Sequence, residues 1–489
     1  IRPINAPPMT NTRIRISALL LAISGLLTPH TTAFGAGKAP KTHELTFSGK
    51  ATPEQYYVPV YTSFTVPEGI VKISVTQHLG SGEARPGNLD LGIFDERGAG
   101  FEGPGFRGWS GGARRSFEIG ETEATPGYLA GRINPGRWTV IQMPTTAGRT
   151  TDWTLKITLT EGPRAKKLPA PSYAAPQLND KPGWYRIAPH VHTVHSDGRL
   201  TPAEVIALGK ASGLDGIVST DHNTTSALLH WGEIQDPEFL VINGVEVTYG
   251  QGHWNIFGLD PHAWIDFRIH HNDTLRYRKA VAKARKAGRL LVANHPYNLD
   301  FLYDVTPMDG IEVWNSAWSP ANERAVELWH TLLVGGNRKF AVASTDFHRG
   351  GNIASPHTVV RAEALSAEAV IDAIAAGRSY VARDASVEIG MQVRNSATPV
   401  QHADIGDTLL RSGGMQAEFR SNTAGRLRMT DQQGWFSDTS IAPGTVVVPI
   451  PERSLWVRAE LRAEDGSMIA RTNPIYIQHP LTTQSLLPE

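Results

Sequence analysis

Between Trp184 and Arg383, short apolar runs alternate with helical stretches, and five of the runs deliver a histidine, aspartate or glutamate at or near their C-terminal ends. "YRIAPH" leads into His190 and His192, and "LDGIVST" into Asp221 and His222. "FLVINGVEV" carries Glu246, "RLLVAN" leads into His295, and "KFAVAST" into Asp346 and His348. Helical patterns fall between them: "PAEVIALGKASG", opened by a capping box of Thr201 and Glu204 with Pro202 at the first helical position, then "LRYRKAVAKARKAG", "ANERAVELWHTLLVGG" and "SAEAVIDAIAAG". A repeated β-then-α order predicts a parallel sheet, open or closed as a barrel, whose strand ends converge on one face.

Thirteen of the eighteen histidines lie between His190 and His357. A lone histidine at a strand end is usually a hydrogen-bonded surface residue, and "HxH" alone is weak. "HVHTVHSD", "TDH", "NHP" and "DFH", in this order and each after an apolar strand, together predict a metal centre. His190 and His192, two apart on an extended strand end, point to the same side and can bind one ion together. Glu246, Asp346 and Asp197 can bridge or complete the shells of two or three divalent cations.

The flanks read differently. Residues 42–165 are short β-branched and aromatic runs between Gly/Pro turns, with clean period-two alternation in "DWTLKITLT". Residues 385–480 return to the same pattern, in "MQAEFRS", "TVVVPI" and "LWVRAEL". Both predict β-sandwich domains around a central domain of residues 184–384, with the Pro/Ala-rich stretch 166–183 as a linker. Within residues 1–36, Arg13 and Arg15 precede an apolar run from Ile16 to Leu27 and small residues around Ala33 and Gly35. That order predicts an export signal and a periplasmic or secreted protein with no stable membrane insertion after cleavage.

Composition narrows the chemistry. There is no cysteine, which leaves histidine and carboxylate as the strong metal ligands and removes any thiolate nucleophile. Forty-seven basic residues balance forty-seven acidic ones, which argues against a nucleic-acid partner.

Taken together, "HVHTVHSDG", "STDHN", "NGVEVT", "ANHP" and "STDFH" resemble the polymerase and histidinol phosphatase (PHP) superfamily. With "FRGWSGGARRSF", "ATPGYLAG" and "RTNPIYI", the chain looks more narrowly like its carbaryl-hydrolase-like branch, often labelled CehA/McbA. The resemblance implies a distorted (β/α)7 barrel between the N-terminal and C-terminal β-sandwich domains, with a di- or trinuclear centre of zinc, manganese or iron. It implies that His190, His192, Glu246 and Asp346 hold one ion, that His222, His348 and Asp197 hold a second, and that His295 reaches the first or a third. His253, in "GHWNIFG", matches a histidine common in that branch, either as a ligand or as a substrate contact. His195 is expected beside the ligands rather than among them, and His357 and the remaining histidines of this region outside the site.

Cations about 4 Å apart lower the pKa of a shared water toward neutrality. Asp346 is the candidate for orienting that water and taking its proton, and His253 or His295 for protonating the leaving group. Arg349, followed by two glycines in "RGGN", either binds phosphate or carboxylate oxygens or is a solvated residue in a tight turn. Trp314 and Trp318 either wall an aromatic-accepting pocket or pack in the core. Trp109 in "FRGWSGG" either approaches the mouth or is buried under a structural turn. The expected activity is that of a hydrolase on a small-molecule ester: a phosphoester first, a carboxylic or carbamic ester as the alternative, and a non-catalytic extracellular binding protein as the reading of a different class.

Overall fold

The computed structural model describes residues 40–80, 86–298 and 301–480. The expected export signal lies outside them. Among the described residues, no helix is long and apolar enough to cross a membrane.

From Lys41 onward the chain forms one compact unit of mixed α/β structure. Two antiparallel four-stranded sheets come first. One runs in the order Thr42–Ala51, Thr151–Glu161, Ile70–Gly80, Ser116–Gly120, the other Val60–Val66, Gly136–Pro144, Leu89–Phe94, Phe106–Gly111. Thr151–Glu161 buries every second residue, so Leu155, Ile157 and Leu159 face inward. They share a core with Ile93, Trp138 and Val140 of the other sheet.

The third sheet carries fifteen strands. Its central part is only partly parallel. Gly183–Val191, Gly216–Ser219 and Leu240–Tyr249 run parallel, as do Leu290–Ala293, Gly310–Asn315 and Phe340–Ser344. Between the two trios stands Gly252–Phe257, antiparallel to both neighbours. The β-then-α order expected throughout therefore breaks at Tyr249, where the chain turns back at once as a hairpin instead of crossing over through a helix. Two 3-10 turns, Ser226–Leu229 and Trp231–Ile234, replace the helix after Gly216–Ser219. The sheet curls, so that the end of the strand Phe340–Ser344 reaches the end of the first: the Phe347 carbonyl accepts from His192 N (2.9 Å), and the His190 carbonyl accepts from Phe347 N (3.3 Å). This contact brings strand ends that are far apart in sequence to one place.

Beyond the curl the sheet continues without a break. Gly183–Val191 pairs with His357–Ala362, that strand with Ser379–Ala382, and that one with Met468–Thr472. Asn473 stitches the join: its Oδ1 accepts from Ala341 N (2.8 Å), while Nδ2 donates to the carbonyls of Ala341 (3.1 Å) and Ser379 (3.2 Å). The far strands share a core with a fourth large sheet, in the order His402–Asp404, Ile389–Asn395, Met415–Ser421, Gly444–Ile450. Residues 166–183 are not free of structure, since Gln177–Asn179 pairs with Leu365–Ser366.

The helix Pro202–Ala211 follows the ligand-bearing loop and opens on the expected capping box, with Thr201 Oγ1 accepting from Glu204 N (3.3 Å) and Glu204 Oε2 accepting from Thr201 N (2.7 Å). Replacing Thr201 by alanine is expected to lower unfolding free energy by about 1 kcal/mol. Chemical denaturation checks this, and an unchanged midpoint would show the cap to be dispensable.

Candidate metal centre

Glu246 is the hub. It points inward from the strand Leu240–Tyr249, is fully buried, and its carboxylate meets five imidazoles. Oε1 lies 3.2 Å from His190 Nε2, 3.3 Å from His253 Nδ1 and 3.4 Å from His295 Nε2; Oε2 lies 2.8 Å from His222 Nδ1 and 3.6 Å from His192 Nε2. Asn294 Nδ2 also donates to Oε1 (2.7 Å). Burying a charged carboxylate requires compensation of this kind.

Around this hub the ring nitrogens and carboxylate oxygens fall into two main nests. His190, His192, Glu246 and Asp346 form one; His192, Asp197, His222 and His348 form the other. Ligands about 2 Å from an ion stand roughly 3.3 Å apart in a tetrahedron. In the first nest Asp346 Oδ1 lies 2.9 Å from His192 Nε2 and 3.2 Å from His190 Nε2. In the second, Asp197 Oδ1 lies 3.1 Å from His348 Nε2 and 3.5 Å from His222 Nε2, and those two nitrogens are 3.4 Å apart. One atom tests the fit directly. His190 Nε2 is buried and 3.2 Å from two carboxylate oxygens, yet it makes a hydrogen bond with neither. A nitrogen aimed between its neighbours is what a shared cation accounts for, so the residues fit divalent ions.

The structure thus brings together all eight residues expected as ligands: seven fall in the two nests, with His192 common to both, while His295 groups with His190 and Glu312, and His253 with Glu246 and His222. His295 lies within reach of both Glu246 and Asp346 (Oδ2, 3.7 Å). Glu312 was not anticipated. It sits on Gly310–Asn315, where Oε1 is hydrogen-bonded to His190 Nδ1 (3.2 Å) and Oε2 accepts from His295 N (2.9 Å). Because that bond to His190 is well formed, Glu312 orients the ring, as carboxylates behind ligating histidines do. Its signal was a charged residue inside the otherwise apolar "GIEVW".

The ligand loop is held from behind. Asp221, which the sequence pairs with His222, turns away from the nests: its carboxylate accepts from Thr193 N (2.8 Å), Thr193 Oγ1 (2.8 Å) and Ser196 Oγ (2.7 Å). Arg114, from the N-terminal β region, donates to the carbonyls of Val194 (2.6 Å) and Ser196 (3.1 Å). Gly198 is required by close approach, since a Cβ there would lie 2.5 Å from the His192 carbonyl oxygen. His195 is buried, with Nδ1 2.8 Å from Ser226 Oγ, and His357 is buried against the Ala354 carbonyl; both lie outside the nests.

Strained backbone collects here. Of the six non-glycine residues with positive φ among those described, His295 (27°) and Asp346 (52°) are expected ligands, and Asn223 (58°) packs beside Glu246. Tyr57 (55°) and Ser316 (54°) line chambers that open onto the nests. Such conformations persist only where the surroundings enforce them.

The charges of these groups shift one another's protonation. Burial opposes charge on every member. Against it, Asp346, Glu246 and Glu312 hold the His190 imidazolium well above the usual range, and Glu246 and Asp197 bring His222 to about 9. The reciprocal attraction of His190 and His222 holds the Glu246 carboxyl well below its usual range, and His190 and His192 do the same for Asp346. Burial and the neighbouring imidazoles of His222 and His348 push His192 down to about 4, and burial also lowers His253. Both are neutral rings at pH 7.

Two chambers lead to the nests. A polar one of about 980 Å³ is lined by Asp197, Asp346 and His348 together with Arg199, Arg349 and Ser316. Arg199 and Arg349 are exposed, and their guanidinium groups have no hydrogen-bond or ion-pair partner among the described residues, while Arg199 N donates to the His348 carbonyl (2.8 Å). Gly350 and Gly351 turn the chain beside Arg349 with φ of 31° and 107°. The second chamber, of about 570 Å³, lies between His222, His253 and Asp197 and the N-terminal β region, with Trp109 in its wall. Trp314 and Trp318 line neither of these chambers: Trp314 is buried in the core and Trp318 packs against it. Of their two readings, the structure shows packing.

No family model matches the chain, and no curated protein does. Among solved structures it is similar to a two-domain Bacteroides vulgatus protein containing a PHP-like metal-dependent phosphoesterase, at 18% identity over 64% of this chain and 100% of that one, with a TM-score of 0.35. It is similar to a Bifidobacterium adolescentis protein described as a putative metal-dependent phosphoesterase, at 17% identity over 38% and 90% and a TM-score of 0.24. It is also similar to a Chromobacterium violaceum amidohydrolase with bound sulfate and no metal, at 19% identity over 34% and 89% and a TM-score of 0.25. With TM-scores below 0.5, these likenesses carry no part of the functional reading, which rests on the side chains of the site.

Proposed function

We propose that the chain is an exported metal-dependent hydrolase of small-molecule esters, phosphoesters first, built as a PHP-type barrel (184–384) between two β-sandwich domains (42–165 and 385–480) in the manner of the carbaryl-hydrolase-like branch. The observation that carries the reading is the pair of cation-sized nests sharing His192, with His190 Nε2 aimed into one of them and left without a hydrogen bond. His190, His192, Glu246 and Asp346 would hold one ion and Asp197, His222 and His348 a second, with His295 completing the first. Bound divalent cations would supply Lewis acidity, polarising the ester oxygen and acidifying water.

The chain's own groups do the rest. Arg349 and Arg199, unpaired at the polar chamber, neutralise the oxygens of the phosphoryl group and hold it over the nests. Asp346 lies within reach of both histidines of one nest and of His348 Nδ1 (3.5 Å) in the other, so it accepts a hydrogen bond from the attacking water and fixes its line of approach. Held far down in pKa, it is a poor store for the proton. His253 is better suited: with Nδ1 turned to Glu246, its Nε2 takes a proton from water as the new O–P bond forms. The same proton then passes to the leaving oxygen as the old P–O bond breaks, giving the alcohol and phosphate.

Replacing His190 and His192 together by alanine is expected to remove bound metal and lower turnover at least about 100-fold. The check is elemental analysis beside a panel of p-nitrophenyl phosphate, bis-p-nitrophenyl phosphate, p-nitrophenyl acetate and an aryl carbamate. Unchanged metal content and turnover in that variant would refute the centre, and cleavage of carbonyl esters alone would move the reading to the carboxylic or carbamic ester. Replacing Arg349 by alanine is expected to raise KM for the phosphomonoester about tenfold and leave p-nitrophenyl acetate nearly unaffected. Equal effects on both substrates would make it a turn residue.

Metal loading has a defined proton linkage. His222 is raised from its ordinary 6.5 to about 9, so the folded metal-free protein carries that proton at pH 7, and an entering cation must expel it. Affinity is therefore expected to climb as pH rises from 7 through about 9, with less proton released on binding above 9 than at 7 because the His222 proton has already left. Titration calorimetry in buffers of different ionisation enthalpy at pH 7 and 9.5 measures this. Binding without proton release at pH 7 would contradict it.

A further inference from the structure

The second chamber has a wall whose composition the hydrolytic reading leaves unused. Its floor is the outer face of the nests, at Asp197, His222 and His253, and its wall is apolar and aromatic: Tyr57, Trp109, Met143, Tyr249 and Phe267. In that wall stands one further carboxylate, Asp90, on the strand Leu89–Phe94 of the N-terminal β region. We propose that this chamber receives an aromatic arm of the substrate, and that Asp90 is a specificity-determining residue that reads an ammonium group on that arm. The proposal rests on the hydrolase reading above and names its substrate class: an ester whose anionic end meets Arg199 and Arg349 and whose other end is an arylalkyl ammonium group.

Asp90 is placed for recognition and lacks what a structural carboxylate would have. Its Oδ1 accepts from Asn88 Nδ2 (2.7 Å) and Thr145 Oγ1 (3.3 Å), which fixes the carboxyl plane. Its Oδ2 has no hydrogen-bond partner, and no lysine or arginine lies within ion-pair distance, among the described residues. Burial pushes the carboxyl up to about 7 despite those two hydrogen bonds and the positive charges of His222 and Arg115. A charge so poorly compensated gains much from an arriving cation, and aromatic faces around it favour the same cation.

The wall is rigid before any ligand arrives. Tyr57 sits at φ 55°, its N–H donating to the Pro144 carbonyl (2.8 Å) and its own carbonyl accepting from the Tyr249 hydroxyl. Its ring lies against the bare backbone of Gly250, where a Cβ would come within 1.9 Å of Cε2. An aromatic ligand therefore meets a preformed surface, and little ordering cost is left to offset affinity. The volume of about 570 Å³ suits one substituted ring. The two chambers share Asp197, Ser196 and Ala113 as their border, so a substrate occupying both lays its scissile bond beside the ions.

The test is calorimetric binding of benzylamine and benzyl alcohol to the full chain, as purified and after chelation. Benzylamine is expected to bind at least about tenfold more tightly than benzyl alcohol, since a hydrogen bond to a charged group replaces a neutral one. Asp90→Asn, checked for unchanged metal content, is expected to bring the two within about twofold. Equal binding of the two ligands to the unaltered protein, or binding of neither, overturns the proposal whatever the variant does. Asp90-dependent binding in a protein inert toward every ester of the panel would remove the hydrolase reading and leave the chamber; turnover with no amine preference would do the reverse.

Discussion

A fully buried carboxylate surrounded by five imidazoles is the constraint that the rest of this protein serves. Leaving Glu246 without those partners would strand a charge in the interior, at a cost of several kcal/mol. His222 and His253 come from the chain segments flanking the strand of Glu246, and His190, His192 and His295 from the next strands out; Asp346 and His348, beyond the last parallel strand, join them only because the sheet curls. Curling in turn depends on the exchange between His190, His192 and Phe347, which closes the last parallel strand against the first. The fold and the site are therefore one electrostatic problem. Protons on His190 and His222 oppose the charges of Glu246, Asp346 and Asp197, and bound cations would take over that role.

Legibility in the sequence followed range. Each expected ligand was visible because it sits at or near the end of an apolar run, a local signal, and the rule that parallel strand ends converge placed them together. Asp221 carried the same signal and plays a different part: whether a carboxylate faces the ions or clamps Thr193 and Ser196 depends on side-chain direction. Glu312 was missed because "GIEVW" reads as a packed strand, and only the register of Gly310–Asn315 shows that its carboxylate backs His190. The strand Gly252–Phe257 was missed as well. Its hairpin with Leu240–Tyr249 replaces the crossover helix that alternation predicts, and that turn is what brings His253 back onto Glu246.

The aromatic wall was sought in the wrong region for a related reason. Trp314 and Trp318 lie near an expected strand end, so proximity in sequence favoured them, yet they pack in the core. Tyr57, Asp90 and Trp109 reach the chamber from far upstream of Asp197 in the chain, through a contact between regions that no local pattern encodes. Arg114 marks the same apposition from the other side, by holding the loop between His192 and Asp197. The N-terminal β region is thus part of the site's construction.

One stitch in the sheet carries a temporal consequence. The strand that presents Asp346 and His348 is tied at Ala341, through Asn473, to Ser379 and to a strand near the end of the described chain. During synthesis, that tie cannot form until Asn473 has left the ribosome, so the strand leading to Asp346 and His348 gains this anchor only after the other parallel strands of the sheet have emerged.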